Sequence, residues 1–172
     1  MNKKLIIIVA VIIAVCGGVG AFLALNHTSK KDNQGSNTSS SVKTPDFNAV
    51  LTALKTKYPT IKDTYVYSEN RDPNDNLGKA GFYLAGAEFY DTRTNTEPDV
   101  EAFGADSGGA IEAYANTSDA AKRVKYLKGF QGDSFLDPGA FKQVGKVVVR
   151  ASSKYKGSEQ SEMIDYLASL VH

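Results

Sequence analysis

From Leu5 to Leu25 the chain carries no charged residue, and no other feature limits its fold and placement as strongly. Twenty-one residues wound as an α-helix reach about 30 Å, the thickness of a bilayer's hydrocarbon core. Lys3 and Lys4 precede the run, and flanking cations stay on the cytoplasmic side, so the rest of the chain is expected outside the membrane. Three readings share these residues. The run is an uncleaved single-pass anchor through residues 5–25; or Ile13-Ala14-Val15-Cys16-Gly17 is a lipobox and Cys16 carries the lipid; or Val19-Gly20-Ala21 ends a cleaved secretory signal. Length and flanks favour the anchor. Val15 stands where a small residue normally precedes a lipidated cysteine, and apolar sequence runs on to Leu25. All three readings export the chain.

Residues 26–44 are rich in Ser, Thr and Asn with almost no apolar side chain. Such a stretch cannot recover its ordering entropy by burial and reads as a flexible polar tether. Residues 45–172 then form one extracytoplasmic domain, long enough to bury roughly two thirds of its unfolded surface. Five of the twenty basic residues but only one of the nineteen acids precede Asp46, so the domain is mildly acidic. That balance argues against a nucleic-acid partner. The single cysteine, Cys16, lies in the apolar run, and the two histidines are His27 and His172. The domain therefore has no disulfide, no thiol nucleophile and no cofactor or metal-ligand motif. An exported domain without disulfides points towards a bacterium, and within bacteria a Gram-positive one.

Hydrophobic periodicity divides the domain into helices and strands. Thr44-Pro45-Asp46 reads as a helix start with a capping hydroxyl, and Phe47, Val50, Leu51, Leu54 and Tyr58 recur at helical spacing before Pro59. Thr64 to Tyr67 is a short strand. A polar turn region from 68 to 80 follows, then strands over 81–91 and 108–115. Thr117-Ser118-Asp119 opens a helix that turns Ala120, Val124 and Leu127 inward. Residues 144–152 are the clearest strand, with an edge strand over 141–144 before Gly145. Ser158 begins a last helix striped by Met163, Ile164, Leu167, Leu170 and Val171. The expected fold class is α+β: a two-layer sandwich with a mainly antiparallel sheet of four to five strands, helices on one face, preceded by one N-terminal transmembrane helix.

Asp72-Pro73-Asn74 with Leu77-Gly78, then Gly108-Gly109-Ala110-Ile111-Glu112, then residues 145–152 (GKVVVRAS) resemble a family of small Gram-positive membrane-anchored or lipoprotein-like cell-surface proteins. The resemblance covers about residues 60–170. It implies a surface-attached domain and carries no defined activity. Ala113-Tyr114 departs from the Val-Phe usual in that family.

Three constellations bear on chemistry. Asp106-Ser107-Gly108-Gly109 has the look of a serine-protease nucleophile segment, but no imidazole exists in the domain before the last residue to take the proton, so it reads as a glycine turn. Asp72, Asn74 and Asn76 alternate as in calcium loops, yet Leu77 replaces the sharp-turn glycine and Tyr83 the closing glutamate; an Asx-rich turn is expected. The acids from Glu88 to Asp106, with Arg93 as the one base among them, read as a solvated hairpin loop.

If Tyr83, Ala85, Phe89, Ile111, Ala113, Val147 and Val149 face the helices, alternation puts Phe82, Leu84, Tyr90, Tyr114, Lys146, Val148 and Arg150 on the other face. Aromatics with arginine favour binding, so that face is the candidate contact surface unless the tether, the 60–80 segment or a second copy covers it. The leading reading is a non-enzymatic binding or accessory module whose partner is an envelope protein, polymer or ligand. The alternatives are an inhibitor or phage-exclusion factor at the cell surface, and an envelope hydrolase working by two carboxylates in one cleft. The anchor reading predicts that the protein sediments with membranes and that protease added outside spheroplasts removes the domain. Cys16→Ser should change neither result; release or altered processing of that variant would assign the lipoprotein form instead.

Overall fold

A computed structural model describes residues 44–96 and 104–172. The expected membrane segment, with Cys16, and the tether up to residue 43 lie outside the described residues, within which no helix is long and apolar enough to cross a membrane. The element order is α1 (Phe47–Lys57), β1 (Ile61–Val66), β2 (Tyr83–Asp91), β3 (Gly108–Tyr114), α2 (Thr117–Lys128), β4 (Ala140–Val144), β5 (Val147–Ala151) and α3 (Ser158–Leu170). Short 3-10 turns occupy Thr92–Thr94 and Ala105–Ser107. The chain is an α+β fold whose five strands form one sheet in the order β1-β2-β3-β5-β4. Every neighbouring pair is antiparallel.

The strands of the first face read as the alternation predicts. Ala87, Phe89, Ile111, Ala113, Val147 and Val149 join Leu51 and Leu54 of α1 and Met163 and Leu167 of α3 in one core. Their small and branched side chains let both helices lie close to the sheet. Helix α2, however, does not share that layer. Its Ala120 and Leu127 bury against Tyr114 and Val148, which project from the opposite face. The expectation of helices on one face is therefore corrected: α1 and α3 cover the first face and α2 the second.

Two helix starts also differ from expectation. Asp46, not Thr44, caps α1, accepting from the Asn48 and Ala49 N–H groups. Asn116 caps α2 through the Asp119 N–H, so Thr117 is already helical. In both cases the side chain immediately before the first helical residue reaches the orphan donors, as capping geometry requires.

A buried ion pair ties the end of β2 to the connection between β5 and α3. Asp91 is fully buried at the end of β2, and Arg93 grips it through Nε and Nη2 at 3.0 and 2.6 Å. The Tyr155 hydroxyl donates to the same carboxylate at 2.9 Å, and the guanidinium stacks 4.6 Å from the Tyr58 ring. Burial alone would raise the Asp91 pKa, but the Arg93 and Tyr155 hydrogen bonds outweigh it and hold it below the usual carboxylate range. A depressed folded-state pKa contributes stability that is complete above the unfolded value and is lost as pH falls through the folded one. Asp91→Asn should therefore cost about 3 kcal/mol near neutral pH, by loss of one partner of a buried pair. Denaturant titrations should show the gap from wild type closing as pH falls below about 4, where Asp91 of the unfolded chain takes up its proton while the folded carboxylate still holds its charge.

Candidate binding cleft

The second face is built around two buried carboxylates. Glu88 of β2 and Glu112 of β3 retain 3% and 1% of their surface exposure. Both lie on the second face, Glu88 opposite Ala110 and Glu112 opposite Gly86. An unpartnered buried charge would be costly, so each needs donors at hand.

Glu112 receives them from α2 and its own strand. Arg123 donates through Nε and Nη2 at 2.8 and 2.7 Å, and the Tyr114 hydroxyl donates at 2.7 Å. Arg123 is held above its usual pKa: burial works against the cation, and Glu112 more than offsets it. Glu88 instead takes hydrogen bonds from the hydroxyls of Tyr65 at 2.6 Å and Tyr67 at 3.0 Å, and from the Gly104 N–H. Burial still leaves the Glu88 pKa raised, because neutral donors and the nearby Arg150 charge recover only part of the lost hydration. Gly86 makes room for this arrangement, since a β-carbon there would fall 2.3 Å from the Tyr67 ring.

The covering of this face is split. Helix α2 lies over β3, β5 and β4, while the turn region after β1 lies over the tyrosines, with Leu77 against the same cluster. Asp72 organises that turn. Its carboxylate accepts from the N–H groups of Asn74, Asn76 and Leu77 and from the Tyr83 hydroxyl. The segment is thus the Asx-rich turn expected, its carboxylate committed to the chain's own donors. Between the two covers a cleft of about 420 Å³ remains. Pro73 and Asn74 form one wall, Arg123 another, and Thr96 with Gly104 to Ser107 close an end; Glu88 and Arg150 lie within.

Arg150 is the odd member. Its row partners across the sheet are Ala110 and Phe141, neither of them an acceptor side chain. Its buried Nε has no hydrogen-bond partner. Among the described residues no carboxylate lies within ion-pair distance of its guanidinium. Glu88 senses the charge without bonding to it.

The predicted contact face is thereby corrected in most of its members. Tyr114 and Val148 are core residues under α2. Tyr90 is half-buried against the same cluster, and Lys146 lies half-buried in the turn before β5. Phe82 precedes β2 and is exposed, as is Leu84 at 53%. Arg150 alone of the seven lines the cleft. Tyr83, assigned to the helix-facing side, instead joins Tyr65, Tyr67 and Tyr114 on the second face. A register shift between Tyr83 and Ala85 turns it over, since one extra residue inverts the alternation.

The residues missed were Glu88, Arg123 and Asp106. Glu88 and Asp91, expected in a solvated acidic loop, are buried strand residues. Glu97, Asp99 and Glu101 lie outside the described residues. The Asp106-Ser107-Gly108-Gly109 segment is a 3-10 turn entering β3, as expected, with Ser107 buried. Comparison with protein-family models, with curated proteins and with solved structures finds no match.

Glu112→Gln should lower stability by about 3 kcal/mol, because it strands the Arg123 charge beneath α2. Tyr114→Phe removes one hydrogen bond to the same carboxylate and should cost about 1–2 kcal/mol. Urea titration at neutral pH checks both values.

Proposed function

We propose that this chain is a membrane-anchored, extracytoplasmic binding or accessory module of the cell envelope, and that the cleft between α2 and the 68–82 turn is its ligand site. The supporting observation is Arg150: on a face where both buried carboxylates are satisfied, one guanidinium lines the cleft with its Nε unpartnered and, among the described residues, no carboxylate within ion-pair distance. A structural arginine that deep would ordinarily be paired, since burying an unpaired charge is unfavourable. Export to the envelope rests on the uncharged run from Leu5 to Leu25 and the cations before it. The resemblance to Gram-positive surface proteins supports the same placement. The chain enters the domain beside α1 and the end of α3, on the first face, where Pro45, Leu170 and His172 meet. The cleft lies on the other face of the sheet.

A second reading is a carboxylate-dependent hydrolase, because Glu88 and Asp106 both line the cleft. Glu88 already accepts from two hydroxyls and a backbone N–H, an arrangement that fixes the carboxylate as an acceptor. That arrangement favours binding over proton transfer. A photo-crosslinking residue placed at Asn74 or Asp106, at the cleft, should capture an envelope component in intact cells. The same residue at Lys55 or Ser161, on α1 and α3, should not. Equal capture from both faces, or none from the cleft, would refute the proposal. Loss of a cellular phenotype in Asp106→Asn with capture retained would favour the hydrolase.

A further inference from the structure

We infer that the cleft takes an oxyanion, carboxylate or phosphate, carried next to a hydroxyl or ammonium group, with the anion on Arg150 and the donor on Glu88. The inference rests on the cleft being the ligand site and specifies what it recognises.

The donor inventory sets the ligand's charge. A guanidinium offers five N–H donors in a planar fork. Arg123 commits two of its nitrogens to Glu112 and reaches the cleft with the donors left over. Arg150 has committed no Nε donor at all. Two carboxylates, Glu88 and Asp106, also line the cleft, yet neither pairs with Arg150, and an anionic oxygen pair is the group that fits a guanidinium edge.

The acceptor inventory sets the second half. Glu88 lies in the same cleft, and its carboxylate holds three donors, which leaves lone-pair capacity for one more. A bare anion seated on Arg150 would face that carboxylate at a cost from like charge. An anion with an adjacent hydroxyl or ammonium group converts the repulsion into a hydrogen bond. Hydroxy acids, amino-acid or peptide carboxyl ends, and phosphorylated polyols all have this form. The cleft lies within the size range of small-ligand sites.

The test follows the Arg150 Nε–Hε resonance by NMR in the full chain held in detergent micelles. The probes are sodium lactate, sodium acetate, inorganic phosphate and neutral lactamide. Lactate should shift the resonance saturably and bind at least threefold tighter than acetate, with lactamide inert. Phosphate binding tighter than lactate would assign the phosphate form of the ligand; the reverse order would assign the carboxylate. Arg150→Lys keeps a cation beside Glu88 but loses the fork, so it should melt within a few degrees of wild type and bind lactate or phosphate at least tenfold more weakly. Glu88→Gln should erase the preference of lactate over acetate. Saturable binding by none of the anions, or equal response to lactamide, would overturn the inference, as would binding unchanged in Arg150→Lys. Crosslinking from the cleft that survives such a failure would leave the binding module standing with a ligand of another class.

Discussion

Burying two carboxylates on one face of an antiparallel sheet is the constraint to which the rest of the second layer answers. Glu88 and Glu112 sit where a singly covered sheet would show polar side chains to water. Once α2 and the 68–82 turn cover that face, each carboxylate must find donors within the fold. Glu112 obtains a charged one, and that choice docks α2: Arg123 projects from the helix onto the strand beside Ala120 and Leu127. Glu88 obtains neutral ones, and that choice assembles the tyrosines, with Gly86 hollowed out beneath Tyr67. Among the described residues the first face keeps an apolar core, with the buried Asp91–Arg93 pair at the end of β2.

The sheet itself was legible because its hydrophobic alternation is unbroken where it matters. Val147, Val149 and Ala151, or Ile111 and Ala113, cannot be placed on the wrong face without exposing a core row. The same rule misplaced Tyr83. An aromatic two residues before Ala85 satisfies the pattern, and nothing in the letters marks the extra residue that reverses it. The position of α2 was illegible for a related reason. Ala120, Val124 and Leu127 form a narrow stripe, and the helix is bound as much by Arg123 as by that stripe. A cation on an otherwise polar helix reads as surface until its partner is known, and the partner here is eleven residues earlier on a strand.

The cleft was legible only as a contradiction. Alternation gathered Tyr114, Val148, Arg150, Glu88 and Glu112 on one face, a mixture too apolar for water and too charged for a core. The inference of a contact surface followed from supposing the face open. The structure resolves the mixture by dividing it: Tyr114 and Val148 go under α2, the glutamates pair inward, and Arg150 is left at the gap between the covers. Sequence patterns report which side chains share a face. Whether that face is covered depends on the long connection between β1 and β2 and on the direction α2 takes from β3, and neither has a periodic signature.

What separates Arg150 from the other buried charges is that its neighbours are chosen for space rather than for pairing. Across the sheet it meets Ala110 on one side and Phe141 on the other. An acidic residue at position 110 would sit between Glu88 and Arg150 and neutralise the guanidinium; alanine leaves the row open instead. The fold thus tolerates an unsatisfied buried donor beside the cleft left between two covering elements. Sites held for binding are commonly left short of their most stable arrangement, because a group that is fully paired within the protein has nothing to offer a ligand. Arg93 and Arg123 illustrate the alternative, each closed on a carboxylate and given over to holding the fold. The three arginines therefore divide into two that fasten elements together and one, Arg150, whose Nε is left without a partner.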